Sequence, residues 1–196
     1  MNSIDWKQKC WRYFSVERFV ESIQNGYLYF AAANQFEDKF EGATMLVNPN
    51  INEFEFDNPF LDMENNAFKE LQRLTKISCW HKADHESYAM WKIYAHENKG
   101  VAISTTPGKM RLAIKPYRIK PDYCEEDLII GNVEYIDLTS QYINDTMLGV
   151  YFYKHLMYSY ENEIRLIISL RTAEEFGVSV PKEGLFIKTD YHELVD

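Results

Sequence analysis

Long apolar runs are missing from this chain, and so is any excess of positive charge. Apolar stretches such as "GVYFY" and "LIISL" fall far short of the roughly 20 residues that span a bilayer, so no transmembrane helix is expected. Lysine and arginine number 21 against 30 aspartates and glutamates, a formal net charge of -9. That balance argues against a broad electrostatic footprint for nucleic acid or an anionic membrane. Cysteine is scarce: Cys10, Cys79 and Cys124 form an odd set without compact spacing, as expected of reduced thiols in a cytoplasm rather than of a disulfide framework. The opening "MNSIDWKQKC" lacks the apolar core of a secretory signal. No GxxxxGK[ST], GxGxxG or GxSxG pattern occurs, which leaves a P-loop, a Rossmann site and a nucleophile elbow without support.

What is present is a chain of 196 residues with no internal repeat and no low-complexity linker, long enough to bury one core as a single domain. Aromatics are abundant, 14 tyrosines among them; most belong in a core or sheet, and aromatic faces also suit stacking of a nucleobase. "CWRYFS" (10–15) reads as a strand. "VERFVESIQNG" (16–26) follows as a helix, with Val16, Phe19, Val20 and Ile23 at helical spacing and Gly26 just past its end. "YLYFA" (27–31), "KISCW" (76–80), "VAIST" (101–105), "IIGNVEYID" (129–137), "EIRLIISL" (163–170) and "GLFIKTD" (184–190) read as strands. "NAFKELQRLTK" (66–76), "SYAMWKIYA" (87–95) and the nearly all-apolar "TMLGVYFYKHLMY" (146–158) read as helices. Residues 107–127, with three prolines, suggest a loop and a short edge strand. Residues 48–66 suggest a surface insertion or lid. Strands and helices mix without a βαβ rhythm, so the fold class expected is α+β with a mixed, mostly antiparallel sheet.

The stretch "ENEIRLIISL" (161–170) concentrates the chemistry. On a strand, alternation places Glu161, Glu163 and Arg165 on one face and Ile164, Leu166 and Ile168 on the other. Same-face neighbours lie roughly 6.5–7 Å apart. Two partly buried carboxyls that close raise one another's pKa unless a cation intervenes, and Arg165 or an arginine from another strand supplies one. Such a pair suits general-base work or stabilisation of a developing cation; the plainer alternative is a solvated strand face with a routine ion pair. "CWHKADHES" (79–87) offers Cys79, His81 and His85, but a fourth zinc ligand at a recognisable interval is missing. A buried strand thiol fits better, with both histidines free to orient a substrate. Ser87 stands where a helix N-cap belongs. The acidic loop "NQFEDKFEG" (34–42) matches no EF-hand and reads as solvated.

In order, "WRYFS" (11–15), "NGYLYFAAANQFEDKFEG" (25–42), "SCWHKADHESYAMWKIYAHENKGVAI" (78–103) and "YENEIRLI" (160–167) resemble the bacterial family of unknown function DUF2971. That resemblance implies further strand and helix residues after a segment such as "TDYHELVD" (189–196). A weaker similarity is to the ADP-ribosyltransferase fold, in the order Arg12, then Ser78 or Ser87, then Glu161-Asn162-Glu163. It implies a split, mostly antiparallel sheet with NAD⁺ as substrate in the cleft. On that similarity Arg12 clamps a phosphate or the ribose, and Ser78 or Ser87 fixes the nicotinamide ribose. Tyr13 or Tyr88 stacks on the nicotinamide, and His81 is counted with the cofactor-contacting residues. Glu163 stabilises the oxocarbenium-like centre, and Glu161 orients the acceptor or serves as its base. The partners implied are a nucleotide-type small molecule and a macromolecular acceptor, without a metal.

Three other readings compete. Asp38, Glu41, Glu161 and Glu163 around Mg²⁺ or Mn²⁺ would make a nuclease or phosphodiesterase. An aromatic cleft with the 48–66 segment would make a non-catalytic binding module. A Glu-x-Glu-x-Arg row paired with Arg12 would simply close a scaffold.

Overall fold

The computed structural model describes residues 3–38, 40–44, 59–95 and 99–196. One strand organises it. β3 (Thr75–Lys82) pairs along one edge with β8 (Glu163–Ser169), from Thr75 opposite Ser169 to His81 opposite Glu163. Its other edge is divided: β1 (Cys10–Ser15) takes His81 and Lys82, while β2 (Tyr27–Ala32) takes Lys76 and Ile77. Residues 78–80 therefore face a gap between β1 and β2. β4 (Gly100–Thr105) extends the sheet beyond β1, β9 (Leu185–Lys188) beyond β2, and β5 (Ile129–Asn132) beyond β8. All seven strands of this sheet pair antiparallel. β6 (Glu134–Ile136) and β7 (Tyr153–His155) form a separate parallel pair. The class is α+β, with a curled antiparallel sheet and flanking helices.

Residues opposite one another in an antiparallel pair share a face. Trp11, Tyr13, Cys79, His81, Glu163 and Arg165 therefore lie on one side of the sheet. Arg12, Phe14, Ser78, Trp80, Ile164 and Leu166 lie on the other. That second side carries the larger core, with Phe14, Phe30, Trp80, Ile103, Leu166 and Ile187 in one cluster. The first carries a smaller core around Ile77, Ile167, Tyr151 and Phe152, and beside it a group of buried charges.

The helices begin and end where local chemistry dictates. Ser15 caps α1 (Val16–Asn25) by accepting from the Arg18 N–H at 3.3 Å, and Gly26 leaves it in the left-handed region at φ 65. α2 spans Pro59–Leu74, starting ahead of the helix expected from Asn66; of the expected surface insertion or lid over 48–66, residues 59–66 are helical and 48–58 lie outside the described residues. Ser87 caps α3 (Tyr88–Tyr94), as expected. α4 (Pro107–Ala113) replaces an expected loop, because Pro107 at the first helical position costs no hydrogen bond and Thr106 caps it. α5 (Arg171–Glu175) and α6 (Tyr191–Leu194) were not expected. The expected helix over 146–158 is absent. Residues 149–152 and 156–161 form 3₁₀ turns that flank β7, and the aromatic run meets strand and turn geometry instead.

Candidate active site

Glu161 does not sit on a strand. Asn162 takes the left-handed conformation (φ 39, ψ 61), ending the 3₁₀ turn before β8 starts at Glu163. The turn is tied to β3: Asn162 Nδ2 donates to Lys82 O at 2.6 Å, and the Lys82 N–H donates to Asn162 O at 2.8 Å. His81 Nδ1 meets Glu161 O at 2.6 Å, which assigns the ring proton to that nitrogen. The two carboxyls are united by a residue the spacing did not suggest. Lys154, on β7, donates Nζ to Glu161 Oε2 and, at 3.1 Å, to Glu163 Oε1.

Arg165 holds the inner end. Its Nε donates to Glu163 Oε2 at 2.5 Å, and its Nη1 and Nη2 form a fork on Glu41 at 2.5 and 3.0 Å. Nη1 also donates to Tyr151 O at 2.6 Å. Residue exposures of 0 % for Arg165, 2 % for Glu41, 4 % for Glu163, 5 % for Lys154 and 6 % for Glu161 show how little water reaches the group. Glu41 is brought there by Gly42, at φ 82. A Cβ on Gly42 would stand 2.5 Å from the Tyr151 ring, so only glycine fits.

Three carboxyls face two cations in a nearly dry space, and one carboxyl is surplus. Burial, the Glu163 hydrogen bond and the Glu163 charge push Glu161 up to about 8, against the pull of Lys154. The surroundings therefore favour the protonated form of Glu161 and the ionised form of Glu163. Burial acts to raise Glu163 too, but Arg165, Glu161's hydrogen bond and Lys154 together hold it well below the usual carboxylate range. Burial also raises Glu41, opposed by the Arg165 fork. Tyrosines surround the outer end. Lys154 Nζ lies 4.5 Å from the centre of the Tyr158 ring. The hydroxyls of Tyr94 and Tyr160 are both raised, by burial first and by Glu161 next.

The expected site residues divide between the two faces. Glu161, Glu163 and His81 meet as described. Tyr13 shares their face, where its hydroxyl accepts from the Ser87 N–H at 2.8 Å and its ring meets Trp91 edge-on at 5.3 Å. Ser87 Oγ caps α3, and Tyr88 is exposed, with Lys92 over its ring. Arg12 and Ser78 are bonded to one another on the opposite face, away from both glutamates. The acidic loop was expected to be solvated, yet Glu41 is buried. Arg12 was the suggested partner of the Glu-x-Glu-x-Arg row, yet Glu41 and Lys154 fill that place. A usable signal for Lys154 was its isolation in "VYFYKHLMY", since a lone charge in an apolar run needs a buried counter-charge. Of the four carboxylates in the metal-centred alternative, Glu41, Glu161 and Glu163 face Lys154 and Arg165. Among the described residues, no group of three or more His, Cys, Asp or Glu side chains is arranged to hold a metal ion. Likewise no helix among them is long and apolar enough to cross a membrane.

The family model described as "Protein of unknown function (DUF2971)" matches residues 90–166, which supports the resemblance over β4, β5 and the start of β8. Searches of curated proteins and of solved structures return no match.

Proposed function

We propose that this chain is an acid–base enzyme whose working group is Glu161, acting on the N-glycosidic bond of a nicotinamide dinucleotide. The observation that carries the reading is a pair of carboxyls two residues apart whose surroundings drive their pKa values in opposite directions. Such divergence assigns separate duties to two like groups. Glu163 stays ionised and supplies negative charge beside a developing oxocarbenium centre. Glu161, pushed up to about 8, is a stronger base than a free carboxylate once deprotonated, and an approaching nicotinamide cation favours that deprotonation. In the transfer step the acceptor's O–H proton passes to Glu161 as its oxygen bonds to C1′. The C1′–N bond breaks, and nicotinamide leaves neutral with the electron pair. The substrate class rests on the similarity to ADP-ribosyltransferases. Arg12 and Ser78, on the far face, take no part in this version of it.

The test is nicotinamide release from NAD⁺, with calorimetric binding, for the wild type and Glu161→Gln. Metal-independent binding is expected in both proteins, with turnover lowered about 10²–10⁴-fold in the variant and its fold kept by circular dichroism. Unchanged turnover in Glu161→Gln, or no NAD⁺ binding by either protein, overturns the assignment. One observation favours a second reading: both Glu163 oxygens and both Glu41 oxygens already face a cation. On that reading the cluster only ties the Glu41 loop, β7 and β8 together, and Glu161→Gln changes melting behaviour alone.

A further inference from the structure

His81 brings to the acid–base pair a nitrogen that the reaction proposed above does not use. It stands on β3 opposite Glu163 of β8, so the two side chains share a face, with Cβ atoms roughly 5 Å apart. Nδ1 lies 2.6 Å from Glu161 O and carries the ring proton, because a carbonyl oxygen can only accept. In the neutral ring, Nε2 is then a bare acceptor. Among the described residues no hydrogen bond reaches Nε2. Nor is it one of the sealed, unpartnered polar atoms, which are Tyr123 Oη and Glu126 Oε1. This nitrogen therefore holds part of the 8 % of the residue that stays open.

The placement is firm. Lys82, next along β3, is tied to the turn that carries Glu161: its N–H donates to Asn162 O at 2.8 Å, and Asn162 Nδ2 donates to its carbonyl at 2.6 Å. Together with the Nδ1 bond, these ties fix the ring against Glu161 before anything binds, so its lone pair is preorganised. An acceptor in this place calls for a donor on the ligand. A carbonyl, an ether or a phosphate would bring oxygen against the lone pair, whereas a hydroxyl completes it. Lys154 and Arg165, the cations of the cluster, are already committed to its carboxyls. With Glu163 beside the carbon whose bond breaks, the hydroxyls that come within reach of its opposite neighbour belong to the same sugar.

We infer that His81 accepts a hydrogen bond at Nε2 from the 2′- or 3′-hydroxyl of the nicotinamide ribose and so sets the sugar against Glu163. This contact rests on the reading of the site as one that opens an N-glycosidic bond, and it names the part of the ligand that the site reads.

The experiment is calorimetric titration of the full chain with NAD⁺ and with its 2′-deoxy and 3′-deoxy analogues in the nicotinamide ribose. Wild type, His81→Asn and His81→Gln are compared, with a thermal melt of each. Asparagine sets an N–H where Nδ1 stood, keeps the bond to Glu161 O and has nothing at Nε2. Affinity for NAD⁺ is expected to fall about tenfold in His81→Asn, with the melting temperature kept. One deoxy analogue should bind the wild type about tenfold more weakly than NAD⁺ does, and that gap should vanish in His81→Asn. Glutamine can set an oxygen where Nε2 stood, so His81→Gln should keep the gap, and it serves if His81→Asn does not fold. A merely structural histidine would weaken all three ligands by one factor, and that result overturns the contact. So does an unmoved affinity in His81→Asn, or a wild type that binds both analogues as well as NAD⁺. Each of these leaves NAD⁺ binding by the wild type and the effect of Glu161→Gln standing. Failure of the reaction itself looks different: the wild type then binds none of the three ligands, and the contact falls with it.

Discussion

Arg165 and Arg12 reach into opposite sides of one sheet, and their company could hardly differ more. Arg165 is wholly enclosed and meets Glu163, Glu41 and a backbone carbonyl. Arg12 is held by a hydroxyl, a carbonyl and two aromatic rings, without a counter-charge among the described residues. The difference separates two uses of a buried cation. Where both carboxylates are supplied by the fold, the charge is spent internally and its removal strands its partners. Where only neutral acceptors are supplied, burial costs solvation that no ion pair offsets, and desolvation acts to lower the pKa of Arg12.

The largest effect should come from breaking the enclosed arginine. Arg165→Met leaves Glu41 and Glu163 buried without their fork, at a cost of about 3–5 kcal/mol and a fall in melting temperature on the order of 10 °C. Thermal unfolding by circular dichroism measures it; a loss below about 1 kcal/mol would mean the cluster is wetter than its geometry implies.

An intermediate effect is expected from pH. Glu161 titrates near 4.5 when free and at about 8 in the fold. The native chain thus keeps a proton that the unfolded chain releases above pH 4.5. Its contribution to stability is complete below that value and declines as pH rises towards 8. Glu163, held low, has the opposite sense: its contribution is present above its unfolded pKa and is lost as the medium becomes strongly acidic. Glu161→Gln should therefore flatten the decline between pH 5 and 8 and leave the acid limb in place. A decline that persists in the variant would assign it to another group.

The smallest effect belongs to the open arginine. Arg12→Met keeps the contact with Phe14 and Trp80 and removes two hydrogen bonds to neutral acceptors, a change of about 1 kcal/mol. Denaturant titration beside Arg165→Met makes the contrast direct. Comparable losses in the two variants would erase the distinction drawn between them.

Much of this architecture could be read from the chain because its signals were local. β1 and β2 follow from short aromatic-rich strand segments, and α1 from the helical spacing of Val16, Phe19, Val20 and Ile23 closed by Gly26; β8 follows from its apolar run. The failures share a cause. Glu41 looked like a solvated loop residue because nothing in "FEDKFEG" announces that Arg165 arrives from the far end of the chain. "TMLGVYFYKHLMY" has a helix's apolarity, but Lys154 must point at two glutamates while its neighbours pair with β6, and only tertiary contact makes that demand. Glu161 lost its strand position to one left-handed residue, Asn162. Alternation did place Glu163 and Arg165 on one face. That Arg12 lies on the other face from Glu163 is visible only once the register of β1 on β3 is known.

The divided edge of β3 also bears on how the chain assembles. Of the pairings in the main sheet, only that of β2 with β3 joins strands adjacent in sequence, so the sheet cannot grow hairpin by hairpin. Non-local pairing of this kind slows folding. Glu41 and Arg165 are 124 residues apart; at roughly 5–20 residues per second of synthesis, the glutamate leaves the ribosome on the order of ten seconds before its partner exists. Through that interval the loop that ends at Gly42 has no buried site to occupy, and the larger core waits longer still for Leu185, Ile187 and Leu194 from the end of the chain.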